Sequence, residues 1–418
     1  MKKIALLFPG QGSQYIGMGK KLYDQYNLVR RTFEEANDVL GFNIRKMCFE
    51  GKFETLTETQ NVQPALLTLS VAAFRAYMYE IGIPPEYLAG HSLGEYSALT
   101  CAGVIDFADA VRIVRHRGLL MEKVSENGSM AAVKGIDKTI VEKECKYFSD
   151  DEETVVIACC NSQLQSVISG NTQAVKKAGE KLETMGAEIK YLKVSNGFHS
   201  PLMQGVADKL TKELKRYKYN NFKWPVISNV TSKPYVDSGE IINNLALQMT
   251  SQVRWQETME FIQEHRIELV VELGPKNVLN RLVKEISPSI TTFSLENQEN
   301  VNILKDALLC EQDNGIGKNI VTSVVTRCLA AAVSTRNRNW NEEEYQKGVV
   351  EPYRKIEKIQ NKLEDQRRKP TVDEIKESIE MVKSIFVTKK IPVKEQNGRI
   401  ENIVGESGVN LKKILRGR

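Results

Sequence analysis

Residues 86–103 read EYLAGHSLGEYSALTCAG, and this stretch decides the class of fold. Its first five residues are a short, mostly apolar run ending in Gly90. The remainder carries small and apolar residues at helical spacing as far as Gly103. A strand that passes into a helix over Gly90-His91-Ser92-Leu93-Gly94 has the G-x-S-x-G spacing of a nucleophile elbow. The turn is so tight that backbone segments on either side of the serine pass closely, and small residues permit this. The hydroxyl is left exposed, and the amides at the helix start can stabilise a negative oxygen. The competing reading is an ordinary serine at a helix start.

Working outward, Ile4–Phe8 reads as a buried strand that Pro9 and Gly10 end. The run is too short for a secretion signal. Residues 66–82, LLTLSVAAFRAYMYEIG, read as a buried helix stopped by Gly82, and residues 106–124 as an amphipathic one. Strands alternating with helices define an α/β core. Residues 129–194 then carry strand, helix, strand, strand, helix and strand patterns in that order, the ferredoxin-like plan. Further strands are expected in WPVISNVT (224–231) and ELVVELGP (268–275), followed by a helix from Val278 with Asn277 as its cap. The expected organisation is a core from 1–128 and 195–305, an inserted subdomain at 129–194, a linker at 306–320 around EQDNGIGKN, and a basic, mainly helical extension at 321–418. In that extension a charged helical pattern covers 340–369. Pro370 interrupts it, and Thr371 with Glu374 has the pattern of a capping box. FVTKKIPV (386–393) reads as a small strand.

The chain has 418 residues, of which 41% are hydrophobic and 27% charged, as in ordinary globular proteins. No apolar run approaches the roughly 18 residues of a membrane span, so none is expected. The net charge of +5 comes from the C-terminal extension, while residues 1–310 are close to neutral. The body therefore calls for no polyanionic partner. Seven cysteines at irregular spacing suit buried free thiols in a reducing, cytoplasmic compartment and form no metal-ligand pattern.

If Ser92 is a nucleophile it needs a base, and the chain has four histidines. His91 adjoins Ser92, and its ring should point away from the hydroxyl in a tight elbow. His116 and His265 sit in helical patterns. His199 lies in SNGFHSPLM, a loop after the subdomain's last strand, where a base or a plain surface histidine would each fit. Arg117, on a helix, reads by default as solvent-facing.

Several separated motifs together carry a family resemblance: FPGQGSQYIGMG (8–19), GHSLGEYSAL (90–99), RHRGLLM (115–121), GSMAAV (128–133), SNGFHSPLM (195–203), QMTSQVRW (248–255) and ELGPKNVL (272–279). Over about residues 1–300 the chain resembles the malonyl-coenzyme A:acyl carrier protein transacylases, including the free-standing acyltransferases of polyketide synthases. The resemblance implies an α/β-hydrolase-like core with a ferredoxin-like subdomain. It implies that Ser92 carries the acyl group, that His199 is its base, and that the Gln248 backbone carbonyl orients the histidine in place of an acid. The amides of Gln11 and Leu93 match the oxyanion hole. Arg117 matches the partner of the malonyl carboxylate, a planar fork for a planar group. Phe198 matches a residue selecting against branched acyl groups, and Met130 and Asn161 match pocket positions. The implied substrates are malonyl-coenzyme A and the phosphopantetheine thiol of an acyl carrier protein, with no resident cofactor or metal. Two other readings stay open: a hydrolase clearing acyl groups from carrier proteins, and a scaffold with a dead acyltransferase fold. The extension suggests docking to a synthase or an acidic carrier protein. The G-x-x-G within IVGESGVNLKKILRGR (403–418) is similar to the loop of KH domains, but a chain-end loop is the plainer reading and nucleic acid is not an expected partner.

Overall fold

Strand β1, Ile4–Phe8, is buried at all five positions, as a central strand of a parallel sheet covered on both faces must be. It lies in a five-stranded parallel sheet with β2 (Tyr87–Gly90), β7 (Val226–Ile227), β8 (Leu269–Glu272) and β9 (Thr291–Ser294), in the order β7-β2-β1-β8-β9. The chain moves from β1 out to β2 and β7, then returns to the other side of β1 for β8 and β9. All carboxyl ends share one edge, and in open α/β sheets ligands bind outside that edge, where strand order reverses. Register pairs Phe8 with Gly90 at this edge. Between β2 and β7 the chain builds an antiparallel sheet from β3 (Gly128–Lys134), β4 (Val155–Ser162), β5 (Gln165–Asn171) and β6 (Glu188–Tyr191), in the order β4-β5-β3-β6. Helices Lys138–Tyr147 and Thr172–Thr184 pack on it around Val133, Val141, Ile168, Val175 and Leu182.

This computed structural model describes residues 2–123, 127–192, 194, 196–309, 324–335, 337–339, 341–366, 368 and 370–405. They divide into two units, Met1–Phe74 with Pro85–Asn300, and Arg75–Pro84 with Val301–Arg418. Both sheets belong to the first. The second is helical, with its own core of Val325, Cys328, Leu329, Ile356, Ile379, Val382, Ile385 and Phe386. The expected linker 306–320 is corrected at its start, where residues 306–309 continue helix Gln298–Leu309. Its remaining residues 310–320 and the 406–418 end lie outside the described residues, and Gly405 ends helix Val393–Gly405. No helix among the described residues is long and apolar enough to cross a membrane.

Three local expectations need correction. The strand in WPVISNVT shrinks to Val226–Ile227 because Ser228 bonds Lys233 and Ser232 instead, closing a turn with Ser232 at φ 56°. FVTKKIPV forms no strand. Helix Val372–Thr388 runs through its first three residues, the buried Lys389 ammonium donates to the carbonyls of Ala332 and Thr335, and helix Val393–Gly405 follows. β-branched propensity yields here to tertiary hydrogen bonding. Asn277 occupies the cap position without capping. The Glu272 carboxylate accepts the Leu279 and Asn280 amides, at 3.0 and 2.9 Å. The Thr371–Glu374 capping box does form, with both reciprocal bonds. Within the charged pattern 340–369, the helical residues run from helix Glu342–Tyr345 to Asp365. A π-helical turn at Gln346–Val350 leads into Glu351–Asp365, next to Pro352, which has no N–H to donate back along the helix.

Candidate active site

Ser92 stands at the carboxyl edge of the parallel sheet, between β2 and helix Leu93–Cys101. Its φ of 51° and ψ of −105° are strained for a non-glycine residue. A Cβ on Gly90 would lie 1.9 Å from the Gly94 carbonyl carbon, and one on Gly94 would lie 2.0 Å from the Phe8 oxygen. Both positions therefore require glycine. Asn229, just after β7, clamps the turn. Its Oδ1 accepts the Ser92 N–H at 2.8 Å, and its Nδ2 donates to the Gly90 carbonyl at 2.7 Å.

The Ser92 Oγ is 2.8 Å from His199 Nε2, and His199 Nδ1 is 2.6 Å from the Gln248 backbone carbonyl. A carbonyl only accepts, so Nδ1 carries the ring proton and Nε2 offers its lone pair to the serine hydroxyl. Burial and the nearby Arg117 charge push the His199 ring down to about 3, against the opposing pull of the Gln248 bond. The ring is thus a neutral base at physiological pH.

Arg117 is buried rather than solvent-facing, at 1% exposure. Its guanidinium lies 5.3 Å from the centre of the Tyr96 ring and donates from Nη2 to Gln248 Oε1 at 3.1 Å. Its Nε has no partner among the described residues. Burial pulls its pKa down from the ordinary guanidinium value, opposed by Tyr96 and Glu95, but a guanidinium stays charged. This is a buried cation with one donor, Nε, unpartnered among the described residues.

Gln11 follows β1, and Leu93 opens the helix after Ser92. Among the described residues neither backbone amide has an internal acceptor. Gln11 and the buried Phe198 line a cleft of about 410 Å³, with Phe53, Glu58, Glu122 and Asn196 among its other walls. Met130 and Asn161 are buried but are not among its lining residues. Met130 lies in β3. Asn161 Oδ1 is 2.9 Å from His91 Nε2, which holds that ring against Trp255 and away from the serine. Among the described residues no cluster of His, Cys, Asp or Glu could hold a metal ion.

Three residues that the sequence reading did not single out complete the site: Asn229, Tyr235 and Glu95. Glu95 is wholly buried, accepting from Tyr235 Oη at 2.6 Å and from Gln248 Nε2 at 2.7 Å. The one signal for it was an isolated charge in the otherwise uncharged helix LGEYSALTC.

An elbow serine at the edge of a parallel sheet, paired with a neutral buried histidine, is an arrangement suited to acyl transfer. A family model for the acyl transferase domain matches residues 5–303. A malonyl CoA-acyl carrier protein transacylase of Bacillus subtilis is 38% identical over 398 residues, 95% of this chain and 99% of that protein. Among solved structures, the malonyl CoA-acyl carrier protein transacylase of Coxiella burnetii superposes with TM-score 0.71 and 37% identity, covering 72% of this chain and 96% of its own. A malonyl-transacylase in complex with its holo type II PKS acyl-carrier protein gives TM-score 0.70 and 38% identity, covering 72% and 98%. The chain belongs to the acyl transferase family and, within it, to the malonyl CoA-acyl carrier protein transacylases. The Bacillus subtilis alignment extends well past residue 303, into the helical unit.

Proposed function

We propose that this chain moves malonyl from malonyl-coenzyme A to the phosphopantetheine thiol of an acyl carrier protein through an ester on Ser92. The observation that carries the reading is the Ser92–His199–Gln248 chain, 2.8 Å and then 2.6 Å. Ser92 Oγ attacks the thioester carbonyl while His199 Nε2 takes its proton. The amides of Gln11 and Leu93 receive the developing oxyanion. The C–S bond breaks, coenzyme A leaves as the thiol with the proton from His199, and malonyl remains esterified. The carrier thiol then gives its proton to His199, attacks the ester and leaves with malonyl, and Ser92 regains its hydroxyl. Arg117 pairs its fork with the malonyl carboxylate. Phe198 narrows the space for a branched acyl group, and Met130 and Asn161 shape the surroundings. The reaction needs no resident cofactor, since coenzyme A enters and leaves as part of the substrate.

The strand order β4-β5-β3-β6 with two covering helices supports naming 129–194 a ferredoxin-like subdomain. The parallel sheet with its elbow supports an α/β-hydrolase-like core from 1–128 and 195–305. The helical extension is proposed as a docking module for an acidic carrier protein or synthase. Arg354, Lys355, Lys358 and Lys362 are exposed along one face of helix Glu351–Asp365, with no salt bridge among the described residues.

The decisive experiment is intact mass after incubation with malonyl-coenzyme A. A malonyl adduct is expected, absent in Ser92→Ala, and chased by a holo carrier protein. Release of malonate without carrier loading would assign a hydrolase instead, and neither adduct nor turnover would assign a scaffold.

A further inference from the structure

We propose that Glu95 is a positioning residue for acyl-group selection: through the Gln248 side chain it aims the Arg117 guanidinium at the acyl carboxylate. The inference rests on the malonyl-transfer reading above. Gln248 joins every part of the site. Its backbone carbonyl holds His199, while its side-chain Nε2 donates to Glu95 Oε2 at 2.7 Å and to the Ser92 carbonyl at 2.9 Å. Its Oε1 then faces Arg117 Nη2 at 3.1 Å. A carboxylate and a carbonyl can only accept, and a guanidinium can only donate. Nε2 also lies 3.4 Å from the acceptor Asn229 Oδ1, so with Glu95 ionised one orientation of the Gln248 amide suits all four partners, and a flipped amide suits none of them.

The arrangement also resolves a charge problem. Arg117 is 1% exposed and Glu95 0%, and a buried charge needs a counter-charge. A direct Arg117–Glu95 pair would fill the fork that the substrate needs. Placing a neutral amide between them lets Glu95 balance Arg117 while Nε keeps no partner among the described residues. Tyr235, from the loop after β7, holds the other carboxylate oxygen. A merely structural buried glutamate would not need to act on selectivity, and the two roles separate in kinetics.

The groups facing Glu95 are Tyr235, Ser228 and Asn229 from around β7, Gln248 from helix Ile241–Thr250, Arg117 from helix Phe107–Glu122, and Tyr96 on its own helix. Burial raises the Glu95 carboxyl from 4.5 to about 7, against the bonds from Tyr235 and Gln248. Its charge is therefore present above about pH 7 and lost as pH falls through that value. The bond to Gln248 then loses its ionic character and roughly half its strength. His199, held near 3, produces no inflection in that range.

The test is steady-state kinetics of the full chain from pH 5.5 to 9, with malonyl- and acetyl-coenzyme A, for wild type, Glu95→Gln, Tyr235→Phe and Arg117→Ala. In the wild type KM for malonyl-coenzyme A should rise as pH falls through about 7. Glu95→Gln should raise that KM about tenfold, a coupling of ordinary size, and abolish the inflection, with acetyl transfer changed less than about twofold. Tyr235→Phe, which keeps the charge but removes a donor to the carboxylate, should move the inflection to higher pH. Equal losses for malonyl and acetyl, or an inflection that persists in Glu95→Gln, would overturn the proposal. If Glu95→Gln does not fold, an unmoved inflection in Tyr235→Phe overturns it. If Arg117→Ala keeps its malonyl preference, the malonyl-recognition reading itself has failed, which is a separate result.

Discussion

Helix Leu93–Cys101, beside the serine, and helix Glu351–Asp365, in the C-terminal unit, handle charge in opposite ways. All nine residues of the first are buried, and one of them, Glu95, is ionisable as a carboxylate. The second buries Ile356 and Leu363 and leaves four cations on its outer face. A buried charge must be hydrogen-bonded and balanced, so its position is determined to a fraction of an ångström by several elements at once. An exposed charge is balanced by water and salt, costs little and does not fix geometry. Substitutions around the first helix should therefore have large effects specific to one acyl group, and those on the second small effects specific to one partner.

The sharpest way to break that contrast is Arg117→Ala. It removes the buried cation proposed to meet the acyl carboxylate and leaves Glu95 without its counter-charge. Malonyl-coenzyme A kcat/KM should fall about 10²–10³-fold, corresponding to roughly 3–4 kcal/mol of lost charge-assisted bonding. Acetyl-coenzyme A should lose far less, because it has no carboxylate to leave unpaired. Equal losses for the two substrates would remove Arg117 from acyl recognition.

A smaller effect is expected at Asn229, which is neutral but 1% exposed. Asn229→Ala strips the Gly90 carbonyl and the Ser92 amide of their partners and leaves strained backbone unsupported. It should lower stability by about 2–4 kcal/mol, read from the denaturant midpoint of the full chain, and slow ester formation on Ser92. A midpoint within experimental error of wild type would mean that the glycines alone hold the elbow.

These residues also show what the sequence made legible. The elbow could be read because its chemistry imposes a spacing: Gly90 and Gly94 are both forced by backbone approach, and Ser92 must lie midway. His199 could be narrowed from four histidines by its loop setting, but its pairing with Ser92 became an expectation only through several separated motifs. The burial of Arg117 could not be read, because its helix also carries Arg112 and Arg115 and a helical arginine defaults to solvent. Glu95, Asn229 and Tyr235 were missed for a shared reason. Their partners lie more than a hundred residues away in sequence, as with Glu95–Tyr235 and Ser92–Asn229, and no local pattern encodes them. The missing strand at 386–393 is the same lesson in reverse. Its β-branched residues suggested one structure, and a lysine reaching carbonyls more than fifty residues away settled another.

The smallest effect is expected on the charged helix, and its value lies in being confined to one half-reaction. Arg354 and Lys358 are one helical turn apart on the exposed face, so replacing both by Glu converts the centre of the stripe to the opposite sign. Both side chains are exposed, with no salt bridge among the described residues, and folding stability should move by no more than about 0.5 kcal/mol. Ser92, the proposed acyl carrier, lies in the first unit, so the rate of adduct formation on it should stay at the wild-type value. Delivery to an acidic carrier protein should instead weaken, with kcat/KM for the carrier falling several-fold at low salt and converging with wild type as salt screens the surface. The carrier-dependent step is thus the one readout in which the second helix should matter. If the reversed stripe loads every cognate carrier at the wild-type rate at low salt, the docking role of this face is wrong, and its cations are only a solvated surface over the core that Ile356 and Leu363 help to build.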